Sequence, residues 1–148
     1  MTITPSPKVS VVQAARLLAT HLTVHTLPEP ALLELFSQTR QTGARVQVCP
    51  WTVHGIAAEL LTWADTLTTV TVQSWRPPDG DRVHLSMDST LSDPAGTVKL
   101  TIFGGADHDP ALVGALASGE HRAVTLGELR TWAADASHLP TNGEEVAR

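Results

Sequence analysis

"RVHLSMD", residues 82–88, sets Val83, Leu85 and Met87 against His84 and Ser86 in strict alternation. Successive side chains of an extended strand point to opposite sides, so a period of two predicts a strand with one buried and one open face. Two neighbouring stretches read alike. "TVTVQSW", residues 69–75, alternates Val70 and Val72 with Thr71 and Gln73, and "TVKLTIFG", residues 97–104, alternates Val98, Leu100 and Ile102 with Lys99 and Thr101. "RPPDGD" and "SDPAG" separate the three. Proline fixes φ and glycine tolerates positive φ, so both separators suit hairpin turns. Three strands joined by turns, each with one apolar side, imply an antiparallel sheet covered on one face.

The cover is legible on either side of these strands. In "SVVQAARLLATHL", residues 10–22, Ser10 and Gln13 form the pair that satisfies free amides at a helix start, and Val11, Ala15, Leu18 and Leu22 fall on one helical stripe. A second helix is predicted from Thr52 to about Leu67, with Ile56, Leu60, Trp63 and Leu67 on one side. A third begins at Thr125, where Thr125 and Glu128 make a capping box ahead of Leu126, Leu129, Trp132, Ala133 and Ala136. Between the first two helices, "RVQVC" alternates as a strand does, whereas "ALLELFS", residues 31–37, fits a strand or a helical turn. A hairpin is the preferred reading there. "GGADHDPALVGALASGEH", residues 104–121, reads as a long loop with one short helical turn.

The second and third helices share Glu-Leu-x-Thr-Trp-Ala, at residues 59–64 and 128–133. Glu128 closes a capping box, but Ile56 stands where Glu59 would need a serine or threonine, so the shared letters have different local roles. Large apolar residues at helical spacing are mostly core, which makes Trp63 and Trp132 core candidates.

The expected fold is therefore one α+β domain of order α-β-β-α-β-β-β-α, an antiparallel sheet with helices packed on one face. It spans residues 9–137, with residues 1–8 and the polar residues 138–148 as flexible ends. A chain of 148 residues can bury about two thirds of its unfolded surface without a disulfide or metal to stabilise it. The single cysteine, Cys49, fits a reducing cytoplasm, and neither a secretory signal nor a membrane-length apolar run is apparent. The net charge of −5, with no lysine/arginine cluster, disfavours nucleic acid as a partner, because a binder must neutralise a dense line of phosphates.

Motifs for chemistry are sparse. His21 and His25 stand one helical turn apart, but no third metal ligand follows, so capping or surface histidines are the better reading. No glycine-rich phosphate loop and no nucleophile elbow occurs, Cys49 has no recognisable partner, and nothing calls for a cofactor. Asp107, His108 and Asp109 follow Gly104-Gly105, and together with His84 they form the one group able to serve acid-base chemistry or a divalent ion. The stronger reading is turn structure, because Asp side chains bond nearby backbone amides and Asp before Pro commonly punctuates loops.

The open side of the sheet says more. If the valines and leucines face the helices, Thr71, Gln73, Trp75, His84, Ser86, Lys99, Thr101 and Phe103 face away, and Trp51 is a candidate to join them. Aromatics on a polar face mark contact surfaces. The expected site is thus an interaction face of Trp51, Trp75, His84, Thr101 and Phe103. It belongs to a non-catalytic interaction or accessory module that takes a protein partner or a second copy of itself. The alternative is a small ligand-binding or metal-assisted enzyme with its pocket near residues 104–110.

At "WRPPDGDRVHLSM", "VKLTIFGGADHDPAL" and "VTLGELRTWA" the chain resembles a set of small actinobacterial α+β proteins of about this length, for which no activity is established. The resemblance spans most of the chain from the first helix to the last. It implies a shared fold and no site residues.

Overall fold

The computed structural model describes residues 8–136. Elements follow in the order α1 (Val11–Val24), β1 (Leu32–Ser37), β2 (Thr42–Gln47), α2 (Val53–Ala64), β3 (Thr71–Trp75), β4 (Arg82–Asp93), β5 (Gly96–Asp107), α3 (Pro110–Val113), β6 (His121–Val124) and α4 (Leu126–Ala136). The six strands form one sheet, ordered β1-β2-β5-β4-β3-β6. The arrangement is α+β in a single domain, with α1 and α2 packed on one face of the sheet and α4 packed against α2. The expected flexible ends lie outside the described residues, apart from Lys8.

The sheet is mixed where a purely antiparallel one was expected. β2 runs parallel to β5, with Thr42 opposite Val98 and Gln47 opposite Phe103, while every other pair is antiparallel. The cause is α2. It carries the chain from β2 over β5 and β4, so that β3 enters the sheet three places from β2 and β5 later fills the gap. Alternation encodes which face a residue takes but not which strand lies beside it.

Caps form as the sequence requires. Ser10 and Gln13 satisfy each other's backbone amides at 3.0 and 2.9 Å, and Val9 and Ala14, on either side of this box, are both buried. Of the expected α1 stripe Leu18 is buried and Ala15 and Leu22 are partly so, whereas Val11 is exposed and Ala14 is buried in its stead. The Thr125 hydroxyl accepts from the Glu128 amide at 3.0 Å, and the Glu128 carboxylate accepts from the Thr125 amide at 2.9 Å. Thr52 caps α2 by accepting from the Gly55 amide at 3.1 Å.

The two Trp-Ala helices pack on each other, with Trp63 at 1% and Trp132 at 5% relative exposure. Of the α4 stripe, Leu129 is also buried, Leu126 and Ala133 are partly so, and the side chain of Ala136 lies outside the described ones. Glu59 rests part-buried on α2, and that burial raises its carboxyl above the usual glutamate value. Two similar helical faces thus meet one core, with different roles for their glutamates.

Residues 104–121 depart most from the sequence reading. Gly104 through Asp107 extend β5, residues 110–113 form the short helix, and His121 to Val124 form β6 beside β3. The 31–37 segment is a strand, paired antiparallel with β2 from Leu32 opposite Gln47 to Ser37 opposite Thr42. Cys49 falls just past β2 instead of within it, and its thiol lies 3.2 Å from the Glu29 carbonyl.

Candidate binding face

The face without helices is a grid set by register. Gln73, Ser86 and Phe103 form one row across β3, β4 and β5, because Gln73 pairs with Ser86 and Ser86 with Phe103. In the next row Trp75 lies between His84 and His121, its register partners on β4 and β6. On the far side of Ser86, Asp88 pairs with Thr101, which pairs in turn with Arg45 of β2. Ser86 is the small residue at the centre, so larger side chains around it enclose a shallow depression of about 210 Å³. Its wall consists of Trp75, His84, Phe103, Arg45, Gln73 and Thr101.

Several of these groups are held in place. The indole of Trp75 stacks on His121, with ring centres 5.4 Å apart and planes at 17°, and meets His84 at 5.5 Å. The Arg45 guanidinium lies 4.8 Å from the centre of the Phe103 ring and also pairs with Glu34 at 2.9 Å. That geometry suits a cation on an aromatic face. Thr101 donates its hydroxyl hydrogen to Asp88 at 2.7 Å. Burial, and then the nearby charge of Arg82, holds His84 below the ordinary histidine pKa, favouring the neutral ring. By contrast, the Gln73 amide and the Ser86 hydroxyl have no hydrogen-bond partner among the described residues.

Four expected site residues therefore meet here: Trp75, His84, Thr101 and Phe103. Trp51 does not join them. It stands 76% exposed in the segment before α2 and lines a separate depression of about 380 Å³ with Thr52, Val53, His54, Ala106, Asp107, His108, Asp109 and Leu112. The Asp-His-Asp group does gather in that second depression, without His84. Its polar groups are engaged in local structure. Asp109 caps α3 by accepting from the Ala111 amide at 3.1 Å, His108 lies 3.3 Å from the Gly114 carbonyl, and His54 lies 3.2 Å from the Trp132 carbonyl. Asp107 faces Arg82 at 3.6 Å, although it is 93% exposed. Among the described residues no three His, Cys, Asp or Glu side chains come together as metal ligands.

His21 and His25 also sit together, with ring centres 4.5 Å apart, but His21 stacks on Trp63 and bonds to Thr66 at 2.8 Å. Burial, and then His25, lowers its pKa. It serves the packing of α1 on α2.

Four residues in or beside the open face were not singled out from sequence as site residues. Gln73 and Ser86 were read as outward-facing but carried no aromatic or charge to mark them. Arg45 opens the alternating "RVQVC", but its place beside Phe103 depends on the parallel β2–β5 pairing. His121, stacked on Trp75, belongs to a strand that read as loop.

No protein-family model matches the chain, and no curated protein or solved structure does so either. No helix among the described residues is long and apolar enough to cross a membrane.

Proposed function

We propose that this chain is a non-catalytic interaction module that takes a protein partner on the helix-free face of its sheet. The observation that carries this reading is the pair Trp75 and Phe103, braced by His121 and Arg45 around a depression in which the Gln73 amide and the Ser86 hydroxyl have no hydrogen-bond partner among the described residues. Braced aromatics lose little side-chain entropy on contact, which is why such anchors dominate many interfaces. Rigid strands, not loops, carry them, so the surface is formed before the partner arrives. The face is also close to electrically balanced. Arg45 is matched by Glu34 and Arg82 by Asp107, and this favours a protein over a polyanion.

The test is the double variant W75S/F103S. Both positions are only part-buried, so the fold should persist, as checked by circular dichroism and urea unfolding. Partners recovered from the native host by affinity capture, and any self-association in sedimentation, should be lost. A folded double variant that keeps the partners and association of the unmodified chain would refute the reading.

A further inference from the structure

Resting on that reading, we infer that the depression over Ser86 is a socket for one tyrosine side chain of a different protein. Size sets the first limit. About 210 Å³ is below the roughly 300–1,000 Å³ of ordinary ligand cavities, so the occupant is a single ring-sized group. Charge sets the second. Arg45 is already paired with Glu34, and Asp88 stands two residues from Ser86 on the same face of β4, so a carboxylate gains no free cation and meets a like charge. A cation fares no better beside the guanidinium of Arg45. The occupant is neutral.

Hydrogen bonding sets the third limit. A purely apolar ring would strip water from the Gln73 amide and the Ser86 hydroxyl and give nothing back, since neither has a hydrogen-bond partner among the described residues. The favoured group is aromatic, to lie against Trp75 and Phe103, and carries a hydroxyl that can donate to the Gln73 carbonyl oxygen and accept from Ser86. A phenol satisfies all three conditions. The chain itself contains no tyrosine, so a second copy cannot supply one and the occupant comes from another protein.

The experiment is an NMR titration of the full chain with four probes: N-acetyl-tyrosinamide, N-acetyl-phenylalaninamide, N-acetyl-tryptophanamide and uridine monophosphate. The tyrosine probe should shift amides around Ser86 and bind about five- to tenfold more tightly than the phenylalanine probe, the ratio that one hydrogen bond supplies. In Q73L/S86A the preference for the tyrosine probe should vanish and the phenylalanine probe should bind at least as tightly as to the unmodified chain, because the polar groups it would leave unpaired are gone, whereas a general distortion of the sheet would weaken both probes. Equal binding of the two, or no shifts near Ser86, overturns the inference. So does preference for the tryptophan probe, which would point to Trp51 of a second copy, or for the nucleotide. The comparison of probes on the unmodified chain decides the matter even if Q73L/S86A fails to fold. Should the probes fail while W75S/F103S still loses its partners, only the tyrosine assignment falls and the interaction face stands.

Discussion

One sheet presents two faces from the same strands, and each carries a pair of large aromatics. On the covered side the packing of α4 against α2 leaves Trp63 at 1% and Trp132 at 5% relative exposure. On the open face Trp75 and Phe103 stay part-exposed, braced by an imidazole and a guanidinium instead of by aliphatic core. The difference teaches that residue type does not separate the covered core from the open face. What surrounds the ring does: near-complete burial in the helix-covered core for one pair, even with His21 stacked on Trp63, and polar or charged braces beside an open depression for the other.

The largest effect that can break this contrast is truncation of the core aromatics. W63A and W132A should each lower unfolding free energy by about 3–5 kcal/mol, the usual loss for a buried large aromatic. Urea melts would measure it, and a near-zero change would place these helical faces among the contact surfaces instead. The folded W75S/F103S chain required above is the counterpart on the open face.

Adjacent glycines of β5 sharpen the contrast at single-atom scale. A Cβ on Gly104 would stand 2.9 Å from side chains of Ile56 and Val48, which are buried and hemmed in. A Cβ on Gly105 would meet the tips of Arg82 and His84 at 3.0 and 3.1 Å, and the Arg82 tip can swing into solvent. G104A should therefore cost about 1–3 kcal/mol, as overpacking does. G105A should cost under about 1 kcal/mol, within the range of ordinary surface changes. Equal losses in paired thermal melts would mean that the open face is as tightly packed as the core.

The smallest expected effect is pH dependence, to which each side contributes one histidine. His21, against Trp63, and His84, on the open face, both have folded-state pKa values below 6.5. The unfolded chain then takes up protons first as pH falls. The stability they contribute is full above about pH 6.5 and declines as the pH drops through that value toward the folded pKa values. Glu59 works in the opposite sense at lower pH, because its folded-state value is raised, so the comparison belongs between pH 7.5 and 5.5. Urea midpoints should drop modestly over that interval and the drop should shrink in H21N/H84N. A midpoint that rises on acidification contradicts the assignment.

By itself the sequence determined which side of β3, β4 and β5 is apolar, where α1, α2 and α4 begin and which tryptophans are core. Those facts follow from local rules: a period of two, a period of 3.6, and a hydroxyl three residues ahead of an amide. Trp75, His84, Thr101 and Phe103 could be placed on one face for the same reason. Tertiary structure alone decided which strands are neighbours, because backbone hydrogen bonding between strands leaves no mark in the alternation of either one. Thus the parallel β2–β5 pairing, which sets Arg45 over Phe103, was not legible, and neither was β6, which sets His121 on Trp75. It also moved Trp51 away from the face, because the chain leaves the plane of the sheet after β2 to start α2. The depression over Ser86 exists only once those neighbours are in register, since its floor is defined by what stands beside a small residue on three different strands.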